Sequence, residues 1–315
     1  MKQVAELIAR VAPTQANVLI QGPTGTGKEV VARTLHRESK RSSGPFVPVN
    51  CAAIPDALLE SELFGYERGA FTGAHRQKRG LIEEGDHGTL LLDEIGAMKP
   101  EMQGKLLRLL ETHTLRRIGG QADIAVDLRV LAATNIDLQA AMAEGRFRED
   151  LYYRLRVVEL SLPLLRERIE DLELFIATFL SEFNRALGKQ IKGVSEQALA
   201  LMRDYHWPGN IRELRNILER AVILCDGQEI QPAHLPQEIT RPLGRQLGST
   251  TPLPLHRLPP EGLDLAAVIA ALEEDLLRQS IERAKGHWER AASLLSLSVE
   301  ELQRKAESYG CKMGN

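Results

Sequence analysis

Residues 22–28 read Gly-Pro-Thr-Gly-Thr-Gly-Lys, which is the spacing of a phosphate-binding loop. Glycines in this pattern let consecutive backbone N–H groups converge on phosphate oxygens, while Lys28 brings an ammonium to the β- and γ-phosphates. The motif follows the apolar run 18–20 and precedes a helical pattern, whose N-terminus adds positive potential. This context predicts a nucleotide site, with a plain Gly-rich turn as the alternative. The general motif has Ser or Thr after the lysine as a Mg²⁺ ligand, whereas Glu29 stands here.

Two carboxylates end a second apolar run. Asp93 and Glu94 follow residues 88–92, Gly-Thr-Leu-Leu-Leu, which read as a buried strand. Asp93 is suited to hold Mg²⁺ through water, and Glu94 is suited to polarise an attacking water. Phosphoryl transfer also needs cations near the γ-phosphate; Arg148 and Arg154 are candidates, with ordinary surface arginines as the alternative. Together with the loop, the two carboxylates predict a hydrolytic site.

The composition limits the class of protein. The 315 residues are 43% hydrophobic and 26% charged, with a formal net charge of −3, and these ordinary values exclude a disordered or fibrous protein. No run approaches about 18 apolar residues, so no membrane span is predicted. The three cysteines lie far apart, which argues against a disulfide framework. We therefore expect a cytoplasmic protein without a membrane partner, whose DNA contacts are local.

Short apolar runs alternate with helical patterns through the first half of the chain. This alternation predicts an α/β fold with a mostly parallel sheet covered on both faces. Residues 170–224 have helical patterns only and predict a helical subdomain with bounds 166–238, while residues 239–262 hold five of the 15 prolines and predict a linker. The predicted segments are thus 1–165, 166–238, 239–262 and 263–315. The runs assigned to strands are 18–20, 46–49, 90–92, 130–133 and 157–160.

The hexapeptide Gly-Ala-Phe-Thr-Gly-Ala at residues 69–74 carries a resemblance to a known family. It is similar to the hallmark of the AAA+ domain of sigma-54-dependent transcriptional activators, the bacterial enhancer-binding proteins. The resemblance includes residues 49–53, 62–65 and 207–214. It implies an AAA+ P-loop ATPase with a helical lid, in a family whose phosphate loop also carries Glu at the position of Glu29.

The resemblance implies roles for individual residues. Asp93 is implied to help hold Mg²⁺, Glu94 to activate water, and Asn50 to be the switch that holds Glu94 according to nucleotide state. Arg148 and Arg154 match arginine fingers that reach the neighbouring subunit's ATP, which implies a homo-oligomeric ring, usually a hexamer. The residues implied in ATP binding are Gly22, Pro23, Thr24, Gly25, Thr26, Gly27, Lys28, Glu29, Asn135 as first sensor and Arg212 as second sensor.

The hexapeptide has a physical logic of its own. Its glycines and alanines offer almost no side chain to bury, so we expect Phe71 and Thr72 at the tip, where an exposed aromatic needs a docking partner. The alternative is that Phe71 folds back onto its own domain. The resemblance implies that the loop grips sigma-54 as ATP is turned over and remodels the closed promoter complex. The implied sigma-54 contacts are Gly69, Ala70, Phe71, Thr72, Gly73 and Ala74.

The last segment predicts three helices. A long helix ends near residue 284 and has Leu272, Leu276 and Ile281 on its apolar face, and Ser298 with Glu301 forms a capping box that opens the third helix. The segment resembles a Fis-type helix-turn-helix. That resemblance implies packing positions at 291–292, 294–295 and 302. The candidate DNA-binding residues are Ser298, Gln303, Arg304 and Lys305.

The charge of this segment argues against tight DNA binding. From residue 286 to 315 the acidic and basic residues balance, which predicts weak DNA affinity unless dimerisation concentrates the cations. A helical packing or dimerisation module is the alternative.

The complete pattern predicts an ATP-hydrolysing activator of sigma-54 RNA polymerase that also binds upstream DNA. The alternatives are another AAA+ remodelling ATPase or a P-loop regulator that uses nucleotide only as a switch, with weak or no DNA binding.

Overall fold

The computed structural model describes residues 2–240, 265–284, 287–295 and 297–309. It consists of two compact units, residues 1–240 and residues 241–315. The predicted linker 239–262 lies outside the described residues from residue 241 onward. Its first two residues belong to a helix, Gln237–Thr240, because Ile239 is buried against the apolar core of the preceding helices.

A five-stranded sheet forms the centre of the first unit. Every strand pair in it is parallel, and the order across the sheet is Phe46–Asn50, Thr89–Asp93, Arg129–Thr134, Val18–Gln21 and Val158–Ser161. Each strand contains one of the five predicted apolar runs or overlaps it, so the predicted mostly parallel α/β fold is confirmed. The strands are β1 (Val18–Gln21), β2 (Phe46–Asn50), β3 (Thr89–Asp93), β4 (Arg129–Thr134) and β5 (Val158–Ser161).

The sheet is buried on both faces by helices. Because successive side chains of a strand point to opposite faces, Leu91 and Leu131 enter one apolar cluster while Leu90 and Val130 enter the other. Strands that are buried on both faces consist almost entirely of apolar residues, so they can be recognised in the sequence as continuous apolar runs. The helices of this part are α1 (Lys2–Val11), α2 (Lys28–Arg37), α3 (Asp56–Phe64), α4 (Leu81–Glu84), α5 (Pro100–Thr112), α6 (Leu138–Ala143) and α7 (Glu149–Leu155).

A helical subdomain follows and encloses its own apolar core around Trp207, which is 1% exposed. The Trp207 indole donates to the carbonyl of Met202 at 2.9 Å. One feature departs from the all-helical prediction, since Gly193–Val194 pairs in parallel with Glu229–Ile230. The helices are α8 (Leu172–Leu187), α9 (Glu196–Asp204), α10 (Asn210–Leu224) and α11 (Gln237–Thr240), preceded by the 3₁₀ segment Leu165–Asp171.

The described residues of the second unit form three helices, α12 (Leu265–Ala284), α13 (Trp288–Leu295) and α14 (Val299–Ser308). Their core is formed by Leu277, Ala284, Ala291, Ala292 and Leu302. The Ser298 hydroxyl accepts from the Glu301 N–H at 3.2 Å, as the predicted capping box requires.

Two predicted packing positions of this unit are wrong. Leu276 is 42% exposed and Leu294 is 52% exposed. At about 100° per residue, Leu294 lies roughly 100° around α13 from the centre of the buried face, while Leu277, one residue after Leu276, turns inward.

Across the described ranges, no helix combines the length and the apolar character that crossing a membrane requires.

Candidate nucleotide-hydrolysis site

The predicted phosphate loop connects β1 to α2. Gly25 and Gly27 have φ of +81° and +99°, a left-handed conformation that glycine adopts without steric cost. Lys28, the first residue of α2, is only 7% exposed, and its ammonium donates to the Gly22 carbonyl at 3.0 Å. The lysine therefore spans the loop, with its charge held where phosphate oxygens would enter.

The two carboxylates stand at the end of β3, beside this lysine. A Glu94 carboxylate oxygen lies 3.7 Å from the Lys28 ammonium nitrogen, and the side chain of Glu94 is 19% exposed. The Glu94 N–H donates to an Asp93 carboxylate oxygen at 3.0 Å, which holds the Asp93 carboxylate against the backbone of Glu94. The structure thus brings Lys28 beside Glu94 of the Asp93-Glu94 pair, although the lysine and the pair lie far apart in the sequence.

Asn50 ends the neighbouring strand β2, opposite Asp93 in the parallel register. Its side-chain oxygen accepts from the N–H groups of Ala52 and Ala53, both at 3.0 Å, so the amide bonds its own loop here and not Glu94. Next to it, burial and the negative charges of Asp93 and Glu94 raise the pKa of the Cys51 thiol to about 12. Cys51 is therefore protonated and inert at neutral pH.

Both predicted sensors lie next to Thr24 of the loop. Asn135, which follows β4, donates to the Thr24 hydroxyl at 3.2 Å. Arg212, in the first turn of α10, lines with Thr24 and Tyr205 an open cleft of about 550 Å³. The Glu29 carboxylate pairs with Arg33 at 2.7 Å on the exposed face of α2.

The two predicted finger arginines are away from the phosphate loop of their own chain. Arg148 forms a two-pronged ion pair with Asp150, at 3.0 and 2.6 Å. Arg154 donates to the Leu110 carbonyl at 3.0 Å. Within the described residues, neither guanidinium hydrogen-bonds residues 22–28.

The Gly69–Ala74 hexapeptide projects from the hairpin that pairs Gly65–Tyr66 with Lys78–Arg79. Phe71 is 46% exposed, and its ring meets Tyr66 edge-on with centroids 4.9 Å apart. Thr72 is exposed, whereas Ala74 is 4% exposed and closes the loop by accepting from Gly69 N–H at 2.8 Å. Phe71 is therefore supported by its own hairpin and still presents nearly half of its surface.

Arg117 ties the base of this hairpin to the neighbouring hairpin, which pairs Thr114–Leu115 with Ile124–Ala125. Its guanidinium donates to Glu83 at 2.7 and 2.6 Å and to Glu67 at 2.8 Å. Arg117 also lowers the pKa of Glu83 by hydrogen bonding to its charged form. No sequence pattern indicated this network, because the partners are 34 and 50 residues from Arg117.

Two buried lid residues also contact the loop without having been predicted to do so. Arg168 donates to the Thr26 carbonyl at 3.0 Å, and Asn210 donates to the Thr24 carbonyl at 3.0 Å. Asn210 belongs to the Trp207-Pro208-Gly209-Asn210 run, whose departure from helical pattern was the only available signal.

The candidate DNA-binding residues of the second unit have mixed surroundings. Ser298 is engaged in capping α14, and the Lys305 ammonium pairs with Glu273 of α12 at 2.9 Å. Gln303 and Arg304 are exposed. Two of the four candidate DNA-binding residues thus bond to residues of their own unit.

Comparison with known proteins agrees with this fold and site. Residues 1–161 match the family model described as the sigma-54 interaction domain, and residues 166–249 match the AAA+ ATPase lid domain. The regulatory protein AtoC of Escherichia coli (strain K12) is 45% identical over 310 residues, which are 98% of this chain and 66% of AtoC. The transcriptional regulatory protein FlbD of Caulobacter vibrioides is 42% identical over 98% of this chain and 68% of FlbD.

The chain is also similar to solved structures. NtrX from Brucella abortus in complex with ADP superimposes with a TM-score of 0.72 and 36% identity, covering 98% of this chain and 68% of NtrX. NtrX was also solved in complex with ATP, with a TM-score of 0.71 and 35% identity. This chain spans about two thirds of the length of these relatives.

The fold and the site define a P-loop α/β protein with an AAA+ lid. More specifically, the chain belongs to the sigma-54 interaction domain family, and the resemblance inferred from the hexapeptide is confirmed.

Proposed function

We propose that the chain hydrolyses ATP and uses the energy to activate transcription by sigma-54 RNA polymerase. The single observation that carries this proposal is the Gly69–Ala74 loop, which presents a half-exposed Phe71 at a place separate from the Lys28–Glu94 pair. A protein that only binds nucleotide needs no such loop.

The residues of the site fit ATP and Mg²⁺. Within the described ranges no three His, Cys, Asp or Glu side chains group to hold a metal ion, so Asp93 would hold Mg²⁺ together with phosphate oxygens, as this ion prefers. When bound, Mg²⁺ supplies positive charge to the phosphates. Lys28 binds the β- and γ-phosphates from the loop. Glu94 accepts a hydrogen bond from the attacking water and so orients this water.

Binding of phosphate also changes the partner of Glu94. In this structure the Lys28 ammonium lies 3.7 Å from Glu94 and bonds the Gly22 carbonyl. A phosphate that draws Lys28 away releases the Glu94 carboxylate for water. Asn50, one strand away, is the residue we propose to receive Glu94 in the other nucleotide state.

A homo-oligomeric ring, which we propose to be hexameric, completes the site. Arg148 immediately precedes α7 and Arg154 lies in its last turn. Among the described residues neither guanidinium hydrogen-bonds the phosphate loop of its own chain, so both suit the γ-phosphate of a neighbouring subunit. Asn135 and Arg212, which both lie next to Thr24 of the loop, would respond to the nucleotide.

The second unit supports a weaker proposal of upstream DNA binding. Gln303 and Arg304 on α14 are exposed, whereas the charge of Lys305 is paired with Glu273. Because DNA affinity depends on phosphate neutralisation, this pairing favours weak binding by one copy and stronger binding by a ring that collects several copies. The same pairing favours the second candidate function, an AAA+ remodelling ATPase with weak or no DNA binding.

Replacing Phe71 by Ala tests directly whether the Gly69–Ala74 loop binds sigma-54. We expect near-normal ATPase activity and ring formation, together with a more than tenfold loss of sigma-54 capture, because a central aromatic contributes at least ~2 kcal/mol at an interface. Thr72→Ala should act in the same direction with a smaller effect. Binding of sigma-54 to the protein trapped with a transition-state analogue measures the loss.

Leu187→Ala is the matched control, because Leu187 is 45% exposed and lies far along the chain at the end of α8. It should leave sigma-54 capture unchanged. If Phe71→Ala instead lowers the melting temperature and the ATPase rate together while sigma-54 capture per folded protein stays intact, then Phe71 is a structural contact with Tyr66 and the proposed grip is wrong.

A further inference from the structure

Three consecutive carbonyls of the phosphate loop are held by the lid. The Thr24 carbonyl accepts from the Asn210 side-chain amide at 3.0 Å. The Gly25 carbonyl accepts from the N–H groups of Ile211 and Arg212, at 2.9 and 3.3 Å. The Thr26 carbonyl accepts from the Arg168 guanidinium at 3.0 Å. No residue of the α/β part supplies these donors; all come from the lid and the segment that leads into it.

Asn210 is built into this contact. It is 1% exposed, has φ of +52°, and uses both ends of its amide, since its oxygen accepts from the Leu165 N–H at 2.9 Å. The approach is so close that a Cβ on Gly25 would stand 2.2 Å from the Gly209 carbonyl oxygen. Gly25 is thus required both by its φ and by the lid backbone.

Burying Arg168 at this position is energetically unfavourable. It is 2% exposed, and its Nε–H has no hydrogen-bond partner among the described residues. Its guanidinium carbon lies 5.4 Å from the Phe175 ring centroid, and burial lowers its pKa. A buried cation with an unpaired donor destabilises a fold more than an apolar side chain of similar size would. Folding alone therefore does not account for an arginine at this position.

The geometry of the peptide bond gives these contacts a consequence for phosphate. In a trans peptide the C=O of one residue and the N–H of the next point in opposite directions. Holding the carbonyls of Thr24 and Thr26 toward the lid therefore turns the N–H groups of Gly25 and Gly27 to the other side of the loop. N–H groups converging on that side are what a phosphate loop uses to bind its anion.

We propose that Arg168 and Asn210 are positioning residues of the nucleotide site, which hold the peptide planes of the phosphate loop in the anion-binding orientation from behind. The proposal rests on residues 22–28 being the nucleotide site. Lid movement then changes nucleotide affinity through the loop backbone, in addition to any contact that Arg212 makes with the nucleotide.

The test is ADP affinity, measured by calorimetry on the full chain, beside the melting temperature without nucleotide. Arg168→Met removes the donor and the buried charge. Asn210→Asp keeps the shape and the acceptor for Leu165 N–H but cannot donate to Thr24. We expect both variants to bind ADP roughly tenfold to a hundredfold more weakly, the effect of lost hydrogen bonds to a charged group. The melting temperature of Arg168→Met should stay within about 4 °C of the wild type.

Arg215→Met is the matched control, since Arg215 also lies over a lid phenylalanine, at 5.2 Å from the Phe183 centroid, but pairs with Glu182 away from the loop. It should bind ADP as the wild type does. Lys28→Ala distinguishes failure of the nucleotide-site assignment from failure of the positioning role. If Lys28→Ala retains wild-type ADP affinity, residues 22–28 are not the nucleotide site. If Lys28→Ala loses ADP while Arg168→Met and Asn210→Asp bind normally, or weaken only together with a large fall in melting temperature, the positioning role is wrong.

Discussion

The Glu94→Gln protein binds ATP with near wild-type affinity and turns it over at least about a hundredfold more slowly, the loss expected for a removed catalytic base. The amide has almost the same shape as the carboxylate, so Asp93 and the phosphate loop keep their geometry. What disappears is the negative charge that orients and polarises water. Steady-state phosphate release and ATP affinity, measured on the same preparation, separate turnover from binding.

Removing the Glu94 charge also removes the partner that lies 3.7 Å from the Lys28 ammonium. Nucleotide affinity therefore stays constant or rises slightly, because Lys28 no longer has to leave a carboxylate. Glu111→Gln, an exposed change on α5, is the control and should hydrolyse ATP normally. Wild-type turnover by Glu94→Gln would remove Glu94 from the mechanism.

Arg148→Ala and Arg154→Ala each lower ATP hydrolysis by roughly 10³-fold or more, the usual contribution of an arginine finger. Neither guanidinium hydrogen-bonds residues 22–28 of its own chain within the described structure, so we expect the effect to cross a subunit boundary. Mixing Arg154→Ala with Glu94→Gln subunits therefore restores activity. At a mixed interface the first chain supplies an intact Glu94 and the second supplies intact fingers.

The control for this mixing experiment is Arg148→Ala with Arg154→Ala. Each interface in that mixture lacks at least one finger, so activity stays low at every ratio. If co-assembled Arg154→Ala and Glu94→Gln rings show no recovery at any ratio, the fingers do not act between subunits. Ring assembly is checked by mass at each ratio, so that failed assembly is not mistaken for failed complementation.

The parts of the fold that the sequence predicts are those with local signals. Buried parallel strands appear as apolar runs, and the loop at 22–28 and the carboxylates at 93–94 each follow such a run. The parallel topology then brings Lys28 and Glu94 to the same edge of the sheet. Local pattern and topology together were therefore sufficient for the centre of the candidate site.

The parts that were not predictable depend on tertiary contacts or on helix rotation. Asn210 and Thr24 are 186 residues apart, and nothing in either segment indicates the hydrogen bond that joins them. Leu277 is buried and Leu276 is exposed, and which of these two neighbours turns inward depends on how α12 packs against α13 and α14. The switching role predicted for Asn50 depends on the nucleotide state and not on tertiary contacts or helix rotation.

The most direct test of the proposed function is open-complex formation by sigma-54 RNA polymerase on supercoiled promoter DNA with the purified chain. We predict promoter melting with ATP, and none with a non-hydrolysable analogue or with the Phe71→Ala variant. Polymerase carrying a different sigma factor should not respond. ATP-independent melting, or no melting by a protein that hydrolyses ATP and captures sigma-54 normally, would contradict the account.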